Sequence, residues 1–224
     1  ILLGKNHDDF HYYHFPYTLI LTEYTHPIGL GNLNHGFKTH SSIFLLSSLF
    51  SLPLAEYNLF HLAPAYIMVF SNYVLIRLII NKDNRKNYIF ITFLSLAALT
   101  FINIFFYRLG EHGTDRSAMI LIILLFINLI FYINKKTKII DSDYLKIFTI
   151  IFSIIISLKA MYIIYIILFF PLIYYVYEKK KSINLFFNMS LLCSLLLVGF
   201  VILTNFLNTG CLIFPEKKTC FYEM

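Results

Sequence analysis

Four apolar stretches, residues 58–80, 88–107, 117–133 and 183–207, each run close to the 20 or so residues that a helix needs to cross hydrocarbon. A fifth, residues 147–177, is too long for one ordinary span and carries Lys159 near its middle. It reads as two short helices joined beside that lysine, which brings the expected number of spans to six. The composition agrees: 58% hydrophobic and 13% charged residues in 224 leave too little polar surface for water, so the bilayer is the solvent. The expected fold is all-α, a polytopic transmembrane helix bundle.

The basic residues orient it. Lys82, Arg85 and Lys86 follow the first span, Lys135, Lys136, Lys138 and Lys146 the third, and Lys179, Lys180 and Lys181 the fifth. Positively charged loops resist translocation, so these three loops are placed inside. By parity, residues 1–57, the loop 108–116, the turn at Lys159 and the tail 208–224 lie outside, with 58–207 as the bundle of a single membrane domain. All eight histidines then fall on the outer side. The same lysines explain the net charge of +6, so nucleic acid is not expected as a partner. The chain opens on Ile1-Leu2-Leu3-Gly4 without an initiator Met, which reads as a fragment with a span before Ile1. Cys211 and Cys220 share the outer tail, either as a disulfide, which an oxidising compartment permits, or as two free thiols.

Chemistry concentrates in the first outer segment, Lys5-Asn6-His7-Asp8-Asp9-Phe10-His11-Tyr12-Tyr13-His14. Adjacent carboxylates among aromatics at a membrane surface are costly unless something uses them. A turn rich in glycine and proline follows, His26-Pro27-Ile28-Gly29-Leu30-Gly31-Asn32-Leu33. Then comes an apolar helix over residues 41–54, too short to span and expected along the outer surface or dipping into the membrane.

An acidic pair in the first outer loop, a surface helix and a second charged outer loop resemble the GT-C superfamily of membrane glycosyltransferases, which use lipid-phosphate-linked sugars. Asp9 followed by Tyr13-His14, Gly29-Leu30-Gly31-Asn32-Leu33 and Ser41-Ser42 is similar to a group of uncharacterised bacterial polytopic proteins, as are Tyr107 through Arg116 and Gly210 through Pro215. The resemblance implies transfer of a sugar from a polyprenyl-phosphate donor to a glycan or lipid acceptor of the cell envelope, at the outer face of the inner membrane. It also implies that a lysine at a turn like that of Lys159 faces the lipid phosphate.

Such a transfer needs a carboxylate to take the acceptor's proton and positive charge for the departing phosphate. Asp9 is the expected base, with Asp8 its competitor; Arg108, Arg116 and Lys159 are the expected phosphate partners, and Glu111, Asp115 and His14 complete the expected substrate-binding set. Each has a plainer reading: helix capping or solvated loop charge for Asp8 and Asp9, mutual pairing for the charges of the 108–116 loop, and snorkelling for Lys159. His7, His11 and His14 would share one face of a helix, where Asp8 or Asp9 could complete a divalent-metal site, although loose spacing and flanking aromatics favour interfacial anchoring. Two other functions fit less of the pattern. An envelope polysaccharide polymerase would rely on arginines more than on a carboxylate base. A transporter would place ionisable residues near the bilayer midplane, whereas Arg77 and Lys159 lie near span ends.

Overall fold

Helix α8, Met189–Thr209, is built inside out relative to a helix of a water-soluble protein. Leu192, Leu195, Leu196, Phe200 and Leu203 are exposed, while Ser194, Thr204, Asn205 and Asn208 are buried. Where lipid covers the outside there is no gain in hiding leucine, and small or polar side chains that let helices approach take the interior. The computed structural model describes residues 9–24, 28–82, 87–106, 114–134, 142–178, 189–214 and 216–221. Among them all regular elements are helical, with two isolated antiparallel bridges, Leu52 to Glu56 and Cys211 to Cys220.

Before α8 come α1 (Phe15–Glu23), α2 (Ser42–Ser48), α3 (Leu62–Ile80), α4 (Ile89–Phe105), α5 (Thr114–Asn134), α6 (Ser142–Leu158) and α7 (Phe169–Glu178). Three apolar stretches, Tyr57–Ile80, Thr114–Asn134 and Met189–Thr209, are long enough to cross a membrane. The helix expected over 88–107 is shorter, 17 residues. The expected break at Lys159 is present. Its backbone is extended, with φ −159° and ψ 115°, and a 3-10 helix, Ala160–Leu168, follows and leads into α7.

The seams between helices are lined by small polar residues. Thr149, Ser153 and Ser157 recur every four residues on α6 and are buried. Each hydroxyl donates to a carbonyl three residues back, and the Ser153 hydroxyl also reaches the Ser194 hydroxyl of α8 at 3.3 Å. On the far side, Asn72 of α3 and Asn103 of α4 exchange reciprocal amide hydrogen bonds of 3.2 Å.

Residues 9–60 fold over one end of this bundle. A five-residue π-helical turn, Phe10–His14, leads into α1, whose first turn carries Pro16, where a missing N–H costs nothing. Tyr17 is fully buried beneath Phe37 and Phe44, and its hydroxyl meets His40 Nδ1 at 2.9 Å. The expected surface helix over 41–54 is corrected: the helix is only Ser42–Ser48, and Ile43, Phe44 and Ser47 are buried. Ser41 caps it by accepting from the Ile43 N–H, and the chain then turns through Leu54 and Glu56, both at positive φ. Residues other than glycine in such conformations cost on the order of 1–3 kcal/mol each.

The Gly29–Gly31 turn docks on the last turn of α8. The Gly29 N–H donates to the Leu207 carbonyl at 2.8 Å, and the Gly31 N–H donates to Asn208 Oδ1 at 2.8 Å. Asn208 Nδ2 in turn donates to the Phe37 carbonyl. Gly31 has no room for a side chain, since a Cβ there would stand 2.7 Å from the Asn208 carbonyl oxygen. Just beyond α8, Gly210 turns at φ 71° and Cys211 is bonded to Cys220, so the tail carries the disulfide.

Asn208→Leu removes both side-chain partners and leaves a buried N–H and a buried C=O unsatisfied, at about 1–3 kcal/mol for each. We expect a loss of about 2–6 kcal/mol in stability, read as a lower unfolding midpoint in detergent together with faster amide exchange at Gly31. An unchanged midpoint with unchanged exchange would show that the docking is held elsewhere.

Candidate functional site

Lys159 ends α6 at the same end of the bundle where residues 9–60 are folded, and the Ser42 and Ser157 hydroxyls, 2.8 Å apart, tie α2 to the last turn of α6. Asp115 lies in the first turn of α5. Lys159 Nζ donates to Asp115 Oδ1 at 2.5 Å, and the Tyr162 hydroxyl, one 3-10 turn further on, reaches the same oxygen at 3.4 Å, the outer limit of a hydrogen bond. Both partners keep solvent access, 29% for the lysine side chain and 49% for the aspartate. An ion pair in such a setting contributes about 0–1 kcal/mol. Lys159 thus has a carboxylate partner at this end of the bundle.

Asp9 and Tyr13 approach from the other side. Asp9 is the N-cap residue of the π-helical turn, yet its side chain makes no capping hydrogen bond, so capping does not account for it. Helical turns of this type are rare and concentrate at functional sites. Tyr13, four residues on, has its phenol pushed up to about 12, first by burial, then by the Asp9 carboxylate; a hydrogen bond with Thr39 works in the opposite sense, and Asp115 adds a smaller upward push. One neutral phenol therefore lies within the field of two carboxylates from distant parts of the chain. Gly36 fixes its place: a Cβ there would meet Tyr13 Cβ and Cγ at 2.6 Å. The Asn34 amide donates to the Tyr12 carbonyl at 3.2 Å and pins the same turn.

The expected site residues divide accordingly. Lys159 is paired with Asp115, and the charges of Asp9 and Asp115 both act on the Tyr13 phenol. His14 is buried, its ring 4.2 Å from that of Tyr13 and 5.5 Å from that of Phe44, which makes it part of the wall behind the site. Arg116 is half-buried beside Asp115, and His11 is exposed. Asp8, His7, Arg108 and Glu111 lie outside the described residues. Among the described residues no three of His, Cys, Asp and Glu stand close enough to hold a metal ion. The sequence reading missed Tyr13, Thr39, Gly36 and Tyr162 as members of the site. The positions of Tyr13 and Tyr162, four residues after Asp9 and three after Lys159, were the available signals.

The Tyr13 shift has a sign that can be checked. The folded phenol keeps its proton above the ordinary value of 10.0, whereas the unfolded one releases it there. Stability tied to Tyr13 is therefore whole below about pH 10 and is lost as pH rises from there towards 12. Tyr13→Phe should lose less stability than wild type between pH 9.5 and 11.5 in detergent unfolding, at roughly equal ionic strength; parallel curves would sink the assignment. For Asp115→Asn with Lys159→Met, a double-mutant cycle should give a coupling of no more than about 1 kcal/mol, shrinking with added salt. A larger coupling insensitive to salt would mean that the pair is shielded from water.

No curated protein and no solved structure matches this chain. A family model described as Domain of unknown function (DUF8201) matches residues 4–222, which takes in the Asp9 turn, the Lys159 break and the docked tail together, and the chain belongs to that family.

Proposed function

We propose that the protein is a glycosyltransferase of the bacterial inner membrane, with about six spans, that moves a sugar from a polyprenyl-phosphate donor to an envelope glycan or lipid acceptor at the outer face. The observation that carries this reading is the Lys159–Asp115 ion pair at the end of an apolar helix bundle, where the charges of Asp9 and Asp115 both act on the Tyr13 phenol. Two carboxylates, a fixed cation and a neutral phenol are the groups that such a transfer uses.

In this mechanism the acceptor hydroxyl oxygen attacks the anomeric carbon of the sugar and gives its proton to Asp9. The bond from that carbon to the phosphate oxygen breaks, and the electron pair leaves with the phosphate. Lys159 takes up the charge as the phosphate displaces Asp115 as its partner, with Arg116 and, outside the described residues, Arg108 adding planar donors. A divalent metal is not required for these steps. Support for a lipid-linked donor comes from an apolar cleft of about 430 Å³ between α6, α7 and α8, lined by Phe152, Ile156, Phe169, Leu195 and Val198 among others. Ile156 lies within one helical turn of Lys159, so a phosphate at the lysine leaves its hydrocarbon tail beside that cleft.

A polysaccharide polymerase is the second reading, favoured only by Arg116 at the same end. The two separate by substitution in membranes carrying the full-length protein and labelled polyprenyl-phosphate sugars. Asp9→Asn should lower sugar incorporation by at least about 100-fold at unchanged expression, and Arg116→Ala by less. Activity that survives Asp9→Asn but vanishes in Arg116→Ala or Arg108→Ala would replace the transferase by the polymerase.

A further inference from the structure

Two residues other than glycine have positive φ among the described residues, Leu54 at 75° and Glu56 at 47°, and both belong to one turn after α2. The turn is closed by the Ala55 and Glu56 N–H groups, which both donate to the Leu52 carbonyl at 3.2 and 2.8 Å. Its side chains bury almost nothing. Leu54 is fully exposed, Leu49 is 74% exposed and Leu52 48% exposed. A strained turn normally persists because packing inside the protein compensates for it. Here such packing is slight: Leu54 and Leu49 stand clear of the fold and Leu52 is half-exposed.

We infer that this turn is a membrane-inserting tip, whose leucines enter the hydrocarbon boundary of the leaflet beside the Asp9–Lys159 site. Two observations choose lipid as the occupant. The turn is continuous with a membrane-crossing stretch: Tyr57, half-exposed, opens the apolar run Tyr57–Ile80, three residues after Leu54. The tip also carries no positive charge, and its one carboxylate, Glu56, is exposed where the turn meets Tyr57. Between Lys38 and Arg77, Glu56 is the single Asp, Glu, Lys or Arg, so nothing basic is present to hold anionic headgroups. Contact must come from hydrocarbon insertion rather than from surface charge. The membrane-facing role expected of the helix over 41–54 thus passes to the turn that follows it, while α2 itself is buried. This inference rests on the membrane reading of the chain and is independent of the proposed transfer reaction.

The chain contains no tryptophan, so each introduced indole reports alone. Leu54→Trp, and separately Leu49→Trp at unstrained φ −64°, are placed in the full chain, with Leu196→Trp on the exposed face of α8 as the hydrocarbon reference and Lys217→Trp as the aqueous one. Each is reconstituted in phosphatidylcholine vesicles with and without bromine atoms in the upper acyl chain. The expected result is blue-shifted emission at both tip positions relative to Lys217→Trp, and loss of most of that emission in brominated lipid. Leu49→Trp keeps the test decisive if Leu54→Trp fails to fold. Emission at both positions like that of Lys217→Trp, unaffected by bromine, would overturn the inference in favour of a tip in water. Blue-shifted emission without bromine quenching would overturn it in favour of a tip covered by protein, either a second copy or another chain.

Discussion

The turns that cap the bundle are docked on α8 chiefly through one side chain. Asn208 ends the long run of α8 with a buried amide that satisfies the Gly31 N–H and the Phe37 carbonyl at once, joining parts of the chain 177 and 171 residues apart. An amide suits this role because it carries a donor and an acceptor on a short stem and can serve two backbone groups facing opposite ways. From there the geometry propagates by contact. Phe37 and Leu30 pack into the core, Gly36 sets the seat of Tyr13, and the Tyr13 phenol feels the charges of Asp9 and Asp115. The glycines in this path are required by close approach, since a methyl group at Gly31 or Gly36 would overlap atoms that hold the site together.

The charges at that end are arranged to be usable. Asp115 stands where a helix N-terminus favours an anion, and Lys159 stands where a broken span leaves backbone to be satisfied. Each is the other's partner, so a lysine that interrupts an apolar run is held at little net cost. Because both keep contact with water, the pair can be rearranged far more cheaply than a buried one.

Much of the bundle was legible in the sequence because lipid imposes a length and a polarity on every segment it touches. The spans over 58–80, 117–133 and 183–207 and the break at Lys159 follow from that constraint. Near the start of the chain no such constraint acts. Phe15–Glu23 is apolar without a clear helical face, so α1 gave no periodic signal, and the π-helical turn before it has no sequence signature. Residues 41–54 looked like one helix by apolar content, but Ser51 and Pro53 lie in the turn, where the chain trades helix for an exposed loop. The sequence places Asn208 only as the first residue of the tail 208–224, because nothing in it marks a partner 177 residues away. Asp9, Asp115 and Lys159 were each visible as charges out of place. The pairing of Lys159 with Asp115, and the reach of both carboxylates' charges to Tyr13, depend on tertiary contacts that no local pattern encodes.

The winding of residues 160–168 has a consequence for reach. A 3-10 helix rises about 2.0 Å per residue against about 1.5 Å for an α-helix, and nine residues in this form are more than such helices usually sustain. Together with the ten residues of α7, the return from Lys159 extends about 33 Å, whereas the same residues wound wholly as an α-helix would cover only about 28 Å. The hydrocarbon core of a bilayer is about 30 Å thick. In the six-span reading proposed above, the stretched winding would let the chain break early enough to leave Lys159 at the surface and still regain the opposite face without a single added residue.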